Sequence, residues 1–244
     1  MKNSLLALFC AFPVALSVLP ASSAAADAPP AFALAGGRTA LVVTDPQNDF
    51  LDPKGAAYGL FAENLKELNT IENIERLFKT AKQSGMPVFV SPHAYFPTDH
   101  AWQNPGALQK QLLSLNIFAR KDAVYASDLA DGGADFLARY KPYILDGKTV
   151  VTSPHKVYGP ESTDLVLQLR SRGVDTVVLA GLAANLCTDS HLRELVENGF
   201  KVVVVKDAVG APGADAYKAA VVNYGFIANA VWTTNDAVKA MGRY

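Results

Sequence analysis

The chain has 244 residues, a net charge of −1 and 18% charged residues, which favours neither a nucleic-acid-binding surface nor an acidic tail. Half of its residues are hydrophobic, enough to build one sizeable core. This balance favours a protein whose partner is a small molecule.

The first 26 residues are predicted to be a secretory signal peptide. Lys2 supplies the positive start, residues 5–19 an apolar run, and residues 24–26 a cleavage site of small side chains. We therefore expect a periplasmic or secreted protein, with residues 27–38 as a flexible mature N-terminus and residues 39–244 as the folded domain. No later apolar run approaches the ~18 residues of a membrane span, so no membrane contact is expected after cleavage.

Only one cysteine should remain after this cleavage. Cys10 lies in the leader, and Cys187 stands where a strand is predicted to turn into a helix. Exported proteins usually pair their cysteines, so a solitary thiol is either an inert filler or is kept for its reactivity.

Short apolar runs rich in β-branched residues alternate with helical patterns after residue 39. Runs that are apolar on both faces are typical of parallel strands covered by helices on either side. We predict an α/β fold, a doubly wound six-stranded parallel sheet in a Rossmann-like three-layer arrangement. The predicted strands are residues 40–44, 88–90, 149–152, 176–180, 202–205 and 230–233.

Helix boundaries are indicated by capping residues. Thr70 is predicted to open a helix that ends at Gly85, and Thr163 to cap a helix over residues 164–172. A helix beginning near Cys187 should stop at residues 198–199, and Thr234 or Asn235 should cap the last one.

One connection, residues 92–148, is much longer than the 2–6 residues usual in such folds. It contains an apparent helix over residues 108–117 and is dense in aromatic and imidazole groups near its start. Ligands of open α/β sheets bind beyond the carboxyl ends of the strands, so we expect this segment to wall the pocket. The side chains predicted to shape substrate choice are His93, Tyr95, Phe96, His100, Trp102 and Tyr158.

Three residues at predicted strand ends can carry chemistry. Asp45 follows the first strand, although it can equally cap a turn, as Asp49 can. Lys156 follows the third strand and, taken alone, reads as a surface lysine. Cys187 at a helix start is expected to have a lowered pKa and fast alkylation, with N–H groups that can hold an oxyanion, although a packing role for this turn stays open. His191, one turn further, is more simply a packing or exposed imidazole than a base.

These motifs together resemble the isochorismatase-like cysteine hydrolase superfamily. The similar segments are residues 43–50 around Asp45, Lys156 with residues 163–165, and residues 179–187 ending in Cys187. Asp207 after the fifth strand also fits. The resemblance runs from about residue 39 to residue 232.

The resemblance implies hydrolysis of a C–N bond in a small amide, carbamoyl or ureido compound through a covalent thioester. Cys187 would be the nucleophile, Asp45 the proton acceptor and donor, and Lys156 the stabilising cation. It also implies a cis peptide at residues 182–183, with the N–H groups of Ala183 and Cys187 as the oxyanion hole. We expect no cofactor and no metal, since only His93 and His100 stand near the metal position of nicotinamidases.

Two alternatives remain at this stage. One is a vinyl-ether hydrolase of the isochorismatase type, which the presence of Cys187 argues against. The other is a catalytically silent binding or oligomer-forming protein. We expect the protein to self-associate. The resemblance implies it, and the nearly neutral chain offers little charge repulsion between copies. Asn185 stands where family members often have Asp, which removes a charge near the thiol.

Overall fold

Six parallel strands with helices on both faces form the structure, a computed structural model that describes residues 32–121 and 129–244. The strands are β1 Thr39–Thr44, β2 Val88–Ser91, β3 Val150–Val151, β4 Thr176–Leu182, β5 Lys201–Gly210 and β6 Ala230–Trp232. The helices are α1 Asn48–Leu51, α2 Tyr58–Leu68, α3 Thr70–Ser84, α4 Ala107–Ser114, α5 Lys141–Ile144, α6 Leu165–Ser171, α7 Asp189–Glu197, α8 Ala214–Ile227 and α9 Thr234–Met241. Short 3₁₀ turns lie at Pro97–Ala101, Ala138–Tyr140 and Pro160–Ser162.

The strand order is β3-β2-β1-β4-β5-β6, with every neighbouring pair parallel. β1 and β4 are completely buried, and an apolar cluster covers each face of the sheet. The predicted doubly wound α/β fold is therefore confirmed. It could be predicted because strands that are buried on both faces have continuous apolar sequences.

Helix ends agree closely with the capping signals. α3 ends before Gly85, whose φ of +73° is a left-handed cap that favours glycine. It begins at Thr70, but Asn69 occupies the N-cap position in place of the predicted Thr70. Thr163 Oγ1 accepts a hydrogen bond from the N–H of Leu165 at the start of α6. The helices α1, α2, α5 and α8 were not predicted.

The last helix has its cap one residue earlier than predicted. Thr233, rather than Thr234 or Asn235, accepts a hydrogen bond from the N–H of Asp236. The predicted signal peptide, residues 1–26, lies outside the described residues. Within the part of the chain that the structure describes, none of the helices has both the length and the apolar character needed to cross a membrane.

Candidate active site

Three strand ends lie level with one another at the carboxyl edge of the sheet. Thr44, the last residue of β1, pairs with Ser91 of β2 and with Gly181 of β4. The residues that follow these strand ends therefore meet at one place. This register brings Asp45, His93 and Cys187 close to one another, as expected for an open parallel sheet.

The turns after β1 and β4 are tied together by Thr44. Its Oγ1 donates to the carbonyl of Leu182 at 3.0 Å and also lies 3.0 Å from Oγ1 of Thr188. A Cβ atom on Gly181, which has a φ of +119°, would lie 2.1 Å from the Thr44 carbonyl oxygen. Only glycine permits this close approach, which sets the spacing between Asp45 and the cysteine turn.

Cys187 lies in a π-helical turn, Ala184–Thr188, between β4 and α7. Its side chain is buried, and Sγ donates to the carbonyl oxygen of Val157 at 2.8 Å. The peptide bond between Leu182 and Ala183 is cis, as the resemblance implied. The N–H groups of Ala183 and of Cys187 itself interact with the thiol and favour its ionised form. These are the two N–H groups expected in the oxyanion hole.

The pKa of Cys187 differs in direction from the expectation. Burial raises it well above the ordinary thiol value, and the negative charge of Asp45 raises it further. The hydrogen bonds from Ala183 and Cys187 only partly oppose these effects. The resting enzyme therefore holds a neutral thiol beside a carboxylate, and a thiolate forms only when a base takes the proton.

Asp45 is fully buried and has a φ of +49°, a left-handed conformation that is uncommon outside glycine. Its Oδ1 is hydrogen bonded to Nε2 of His155 at 2.8 Å. Its Oδ2 is buried without a hydrogen-bond partner among the described residues. Oδ2 is therefore the oxygen that remains available to accept a proton from Cys187.

The ring of His155 has an oxygen atom as the partner of each of its nitrogens. Nε2 faces the carboxylate of Asp45, and Nδ1 lies 2.9 Å from the carbonyl oxygen of Lys156. When Asp45 is ionised, both partners are acceptors, so both ring nitrogens donate and the ring is a cation. Burial lowers the pKa of the neighbouring His93 and His191 rings, and the charge of His155 lowers it further.

Lys156 does not take the position that the resemblance assigned to it. Its ammonium pairs with the carboxylate of Asp99 and donates to the carbonyl of Ala94 at 3.0 Å. The rings of Phe96, Tyr95 and Trp102 surround it, with centroids at 4.4, 5.4 and 5.8 Å. His155 therefore lies beside Asp45, whereas the next residue, Lys156, contacts the loop after β2.

His93 is the predicted pocket residue that borders Cys187. Its backbone is held by Gln47, which donates to the His93 carbonyl and accepts from its N–H, both at 2.8 Å. Both ring nitrogens are buried without a partner among the described residues, and burial lowers the pKa of this imidazole. A neutral His93 offers one donor and one acceptor to a bound molecule.

Tyr95 lies nearby with its hydroxyl buried and unpartnered within the described residues. Burial raises its pKa, and the proximity of Cys187 raises it further. It therefore remains a neutral hydrogen-bond donor near the thiol.

His191 is a structural residue. Its Nδ1 lies 2.7 Å from the carbonyl oxygen of Cys187, and its Nε2 lies 2.8 Å from the hydroxyl of Ser91. Burial lowers its pKa, so the ring is neutral, donates to Cys187 and accepts from Ser91. It holds the backbone of the cysteine turn against β2.

A cavity of about 250 Å³ opens beside Cys187. Its wall includes Leu108 and Leu112 of α4 together with the following Leu115, on one helical face at spacings of four and three. The predicted wall from residues 92–148 is therefore present, but leucines form it in place of most of the predicted aromatic residues. The helical spacing of these leucines was the sequence signal for them.

The other predicted substrate contacts lie away from this cavity. Phe96 and Trp102 enclose Lys156, and His100 is exposed on the Pro97–Ala101 turn. Tyr158 is 48% exposed and borders a separate surface depression with Arg193. Of the predicted set, only His93 lines the cavity at Cys187 in the part of the chain that is described.

A second cavity, of about 340 Å³, lies on the other side of His93 and is bordered by Arg120 and Lys141. Lys141 pairs there with Asp135 at 2.6 Å. Cys187 does not border this cavity, so it is not where the thiol meets a substrate.

Three side chains could be considered for a metal ion. Ligand atoms of His93, His155 and Cys187 lie within 4.8 Å of one another. Both nitrogens of His155 are already bonded to oxygen acceptors, so a metal would have to break the pair with Asp45. The arrangement fits a charged catalytic pair better than a metal centre.

Known proteins resemble this chain in sequence and in fold. The family model described as Isochorismatase domain matches residues 39–236. A ureidoacrylate amidohydrolase from Variovorax paradoxus is 27% identical over 91% of this chain and 88% of its own. The crystal structure of a cysteine hydrolase from Pseudomonas syringae pv. phaseolicola has a TM-score of 0.71 at 22% identity, covering 87% of this chain and 96% of that one. An N-carbamoylsarcosine amidase from Thermoplasma acidophilum has a TM-score of 0.57 at 22% identity, covering 81% and 97%.

Proposed function

Because the chain belongs to the isochorismatase family of hydrolases, we propose that it hydrolyses a C–N bond of a small amide, carbamoyl or ureido compound through Cys187. The observation that carries this proposal is the buried thiol of Cys187 beside the carboxylate of Asp45. The relatives named as ureidoacrylate amidohydrolase and N-carbamoylsarcosine amidase support the same reaction class.

The first half-reaction transfers the acyl group to sulfur. Sγ of Cys187 attacks the amide carbonyl carbon while Asp45 Oδ2 accepts the thiol proton. The oxygen of the tetrahedral intermediate is stabilised by the N–H groups of Ala183 and Cys187. The C–N bond then breaks, Asp45 returns the proton to the leaving nitrogen, and an amine or ammonia departs.

The second half-reaction uses water. Asp45 accepts a proton from a water molecule that attacks the thioester carbon, the C–S bond breaks, and the thiolate recovers the proton as the acid leaves. The raised pKa of Cys187 is consistent with this scheme. The thiol and the carboxylate share one proton, so the two groups are not ionised at the same time.

We assign to His155 the stabilising positive charge that the family resemblance gave to Lys156. A buried carboxylate without a partner is costly, and His155 supplies both charge and a hydrogen bond to Asp45. His155 acts through Asp45, so it is a positioning residue in this scheme. Lys156 instead orders the aromatic loop after β2.

The test is rapid quenching of the wild-type enzyme with a slowly hydrolysed amide, followed by intact-mass analysis. We expect an acyl adduct on Cys187, and Cys187→Ala should lose both adduct and turnover while remaining folded. Undiminished hydrolysis by Cys187→Ala would contradict the proposal and favour the silent-binding alternative. Alkylation rate alone does not distinguish these cases, because even a catalytic thiol with this raised pKa reacts slowly at neutral pH.

Export and self-association are also proposed, on the sequence features of residues 1–26 and on the family resemblance. Mass spectrometry of periplasmic protein should show a start near residue 27, and an intact Met1 would contradict export. Light scattering should show more than a monomeric mass at micromolar concentration.

A further inference from the structure

The cavity at Cys187 has one small polar end and a long apolar wall. Its lining is apolar except for Cys187, His93 and Gln111. Phe50 and Phe61 face this space together with the leucines of α4. Leu60 and Leu115, which also line it, are 59% and 49% exposed and so mark its opening to solvent. An apolar opening favours entry of an apolar group.

The polar end carries two buried atoms that lack partners within the described residues. These are the two ring nitrogens of His93, which lines the cavity. A buried polar group without a hydrogen-bond partner is destabilising. An amide group has one acceptor oxygen and N–H donors, so it can hydrogen bond to this ring. Polar recognition is therefore concentrated at the reacting group.

No positive side chain borders this cavity among the residues that the structure describes. Lys156 is paired with Asp99, His155 is paired with Asp45, and neither is part of the lining. Arg120 and Lys141 border the other cavity, beyond His93. The segments outside the description, residues 1–31 and 122–128, contain Lys2 as their only Lys or Arg. A substrate carboxylate buried here would have no cation to pair with.

We propose that the substrate is an uncharged amide whose acyl group is apolar, with the amide at His93 and the acyl chain against α4. This inference rests on the proposed amidohydrolase function and specifies its substrate class. It separates this chain from the relatives, since ureidoacrylate and N-carbamoylsarcosine are both carboxylates. The free-energy cost of burying an unpaired carboxylate is much larger than the free energy gained by burying methylene groups.

The first test compares kcat/KM for two amides of equal chain length, hexanamide and the monoamide of adipic acid. We expect at least about a 100-fold preference for hexanamide. Along the series from acetamide to hexanamide, kcat/KM should rise by up to about fourfold for each methylene that becomes buried. Equal rates for the two six-carbon amides, or a preference for the carboxylate, would overturn the inference.

A matched pair of variants tests the position of the pocket. Gln111→Arg puts a cation on the lining, whereas Ser114→Arg puts the same cation on an exposed site of α4 that is not part of it. Gln111→Arg should reduce the preference for hexanamide by about tenfold or more, and Ser114→Arg should leave it unchanged. Identical effects of the two variants would contradict the assigned wall.

Binding to Cys187→Ala separates failure of this inference from failure of the proposed function. Hexanamide should raise the Tm of this variant, and the adipic monoamide should not at equal concentration. Hexanamide binding without any turnover by the wild-type enzyme would contradict the amidohydrolase proposal alone. Equal stabilisation by both amides would contradict the apolar-substrate inference whatever the turnover.

Discussion

The carboxylate of Asp45 and the imidazole of His155 form a fully buried pair, joined by a 2.8 Å hydrogen bond between Oδ1 and Nε2. Nδ1 of His155 lies 2.9 Å from the carbonyl oxygen of Lys156, so the ring is a buried cation when Asp45 is ionised. This pair leaves Oδ2 of Asp45 as the single carboxylate oxygen ready for the proton of Cys187.

Substitutions at His155 should show that its charge matters more than its hydrogen bond. His155→Gln can still donate to Asp45 but is neutral, and we expect kcat to fall by at least about 100-fold. His155→Lys restores a cation and should retain more activity than His155→Gln. The kcat/KM profile against pH should differ between the two variants, since only one retains a titratable group.

Lys156→Met is the matched control for these variants, because it removes the neighbouring cation from the Asp99 pair. It should reduce kcat less than His155→Gln does. The assignment would be wrong if Lys156→Met proved the more damaging change in kcat while the fold, followed by circular dichroism, stayed intact.

Asp45→Asn should separate thiol reactivity from catalysis. The charge of Asp45 raises the pKa of Cys187, so its removal should lower that pKa and speed alkylation by iodoacetamide at pH 7–8. Turnover should nevertheless fall by about 10²–10⁴-fold, because asparagine cannot accept the proton. Slower alkylation together with lost turnover would show instead that Asp45 assists thiolate formation in the resting enzyme.

Stability should decrease in mild acid because of two buried histidines. Burial lowers the pKa of His93 and His191 in the folded protein, so below about pH 6.5 the unfolded chain binds protons that the folded chain does not. The free energy of unfolding should therefore fall with decreasing pH, by up to about 1.4 kcal/mol per pH unit for each histidine. Urea denaturation between pH 7.5 and 5 measures this slope.

The variant His191→Asn provides the comparison, since carboxylates titrate alike in both proteins. Its stability should be lower at pH 7.5 because the bond to Ser91 is disturbed, but it should fall less steeply towards pH 5. Parallel curves for wild type and variant would exclude His191 as a source of the acid sensitivity.

Activity should survive exhaustive chelation. His155 has no free nitrogen for a metal, and His100 is exposed on a turn that the site does not use. Dialysis against EDTA followed by assay, with an apo-reconstituted metalloenzyme as a positive control, measures this. Loss of turnover that zinc, iron or manganese restores would contradict the metal-free mechanism.

The chain alone predicted the sheet and two members of the site. β1 and β4 are apolar runs long enough to be buried on both faces. Asp45 follows β1 directly and Cys187 lies in the turn after β4, so their place at the sheet edge follows from local sequence.

Tertiary structure decided which of two adjacent residues, His155 or Lys156, faces Asp45. In an extended segment successive side chains point to opposite sides. A change of one residue in register would therefore exchange the directions of the His155 and Lys156 side chains. Here His155 lies in register with His93, which turns its ring toward Asp45 and directs Lys156 to Asp99. The apolar wall of the cavity also depends on the tertiary structure. It combines residues of α2, α4 and the turn at Cys187, which are far apart in the chain and meet only because of the way the helices pack on the sheet.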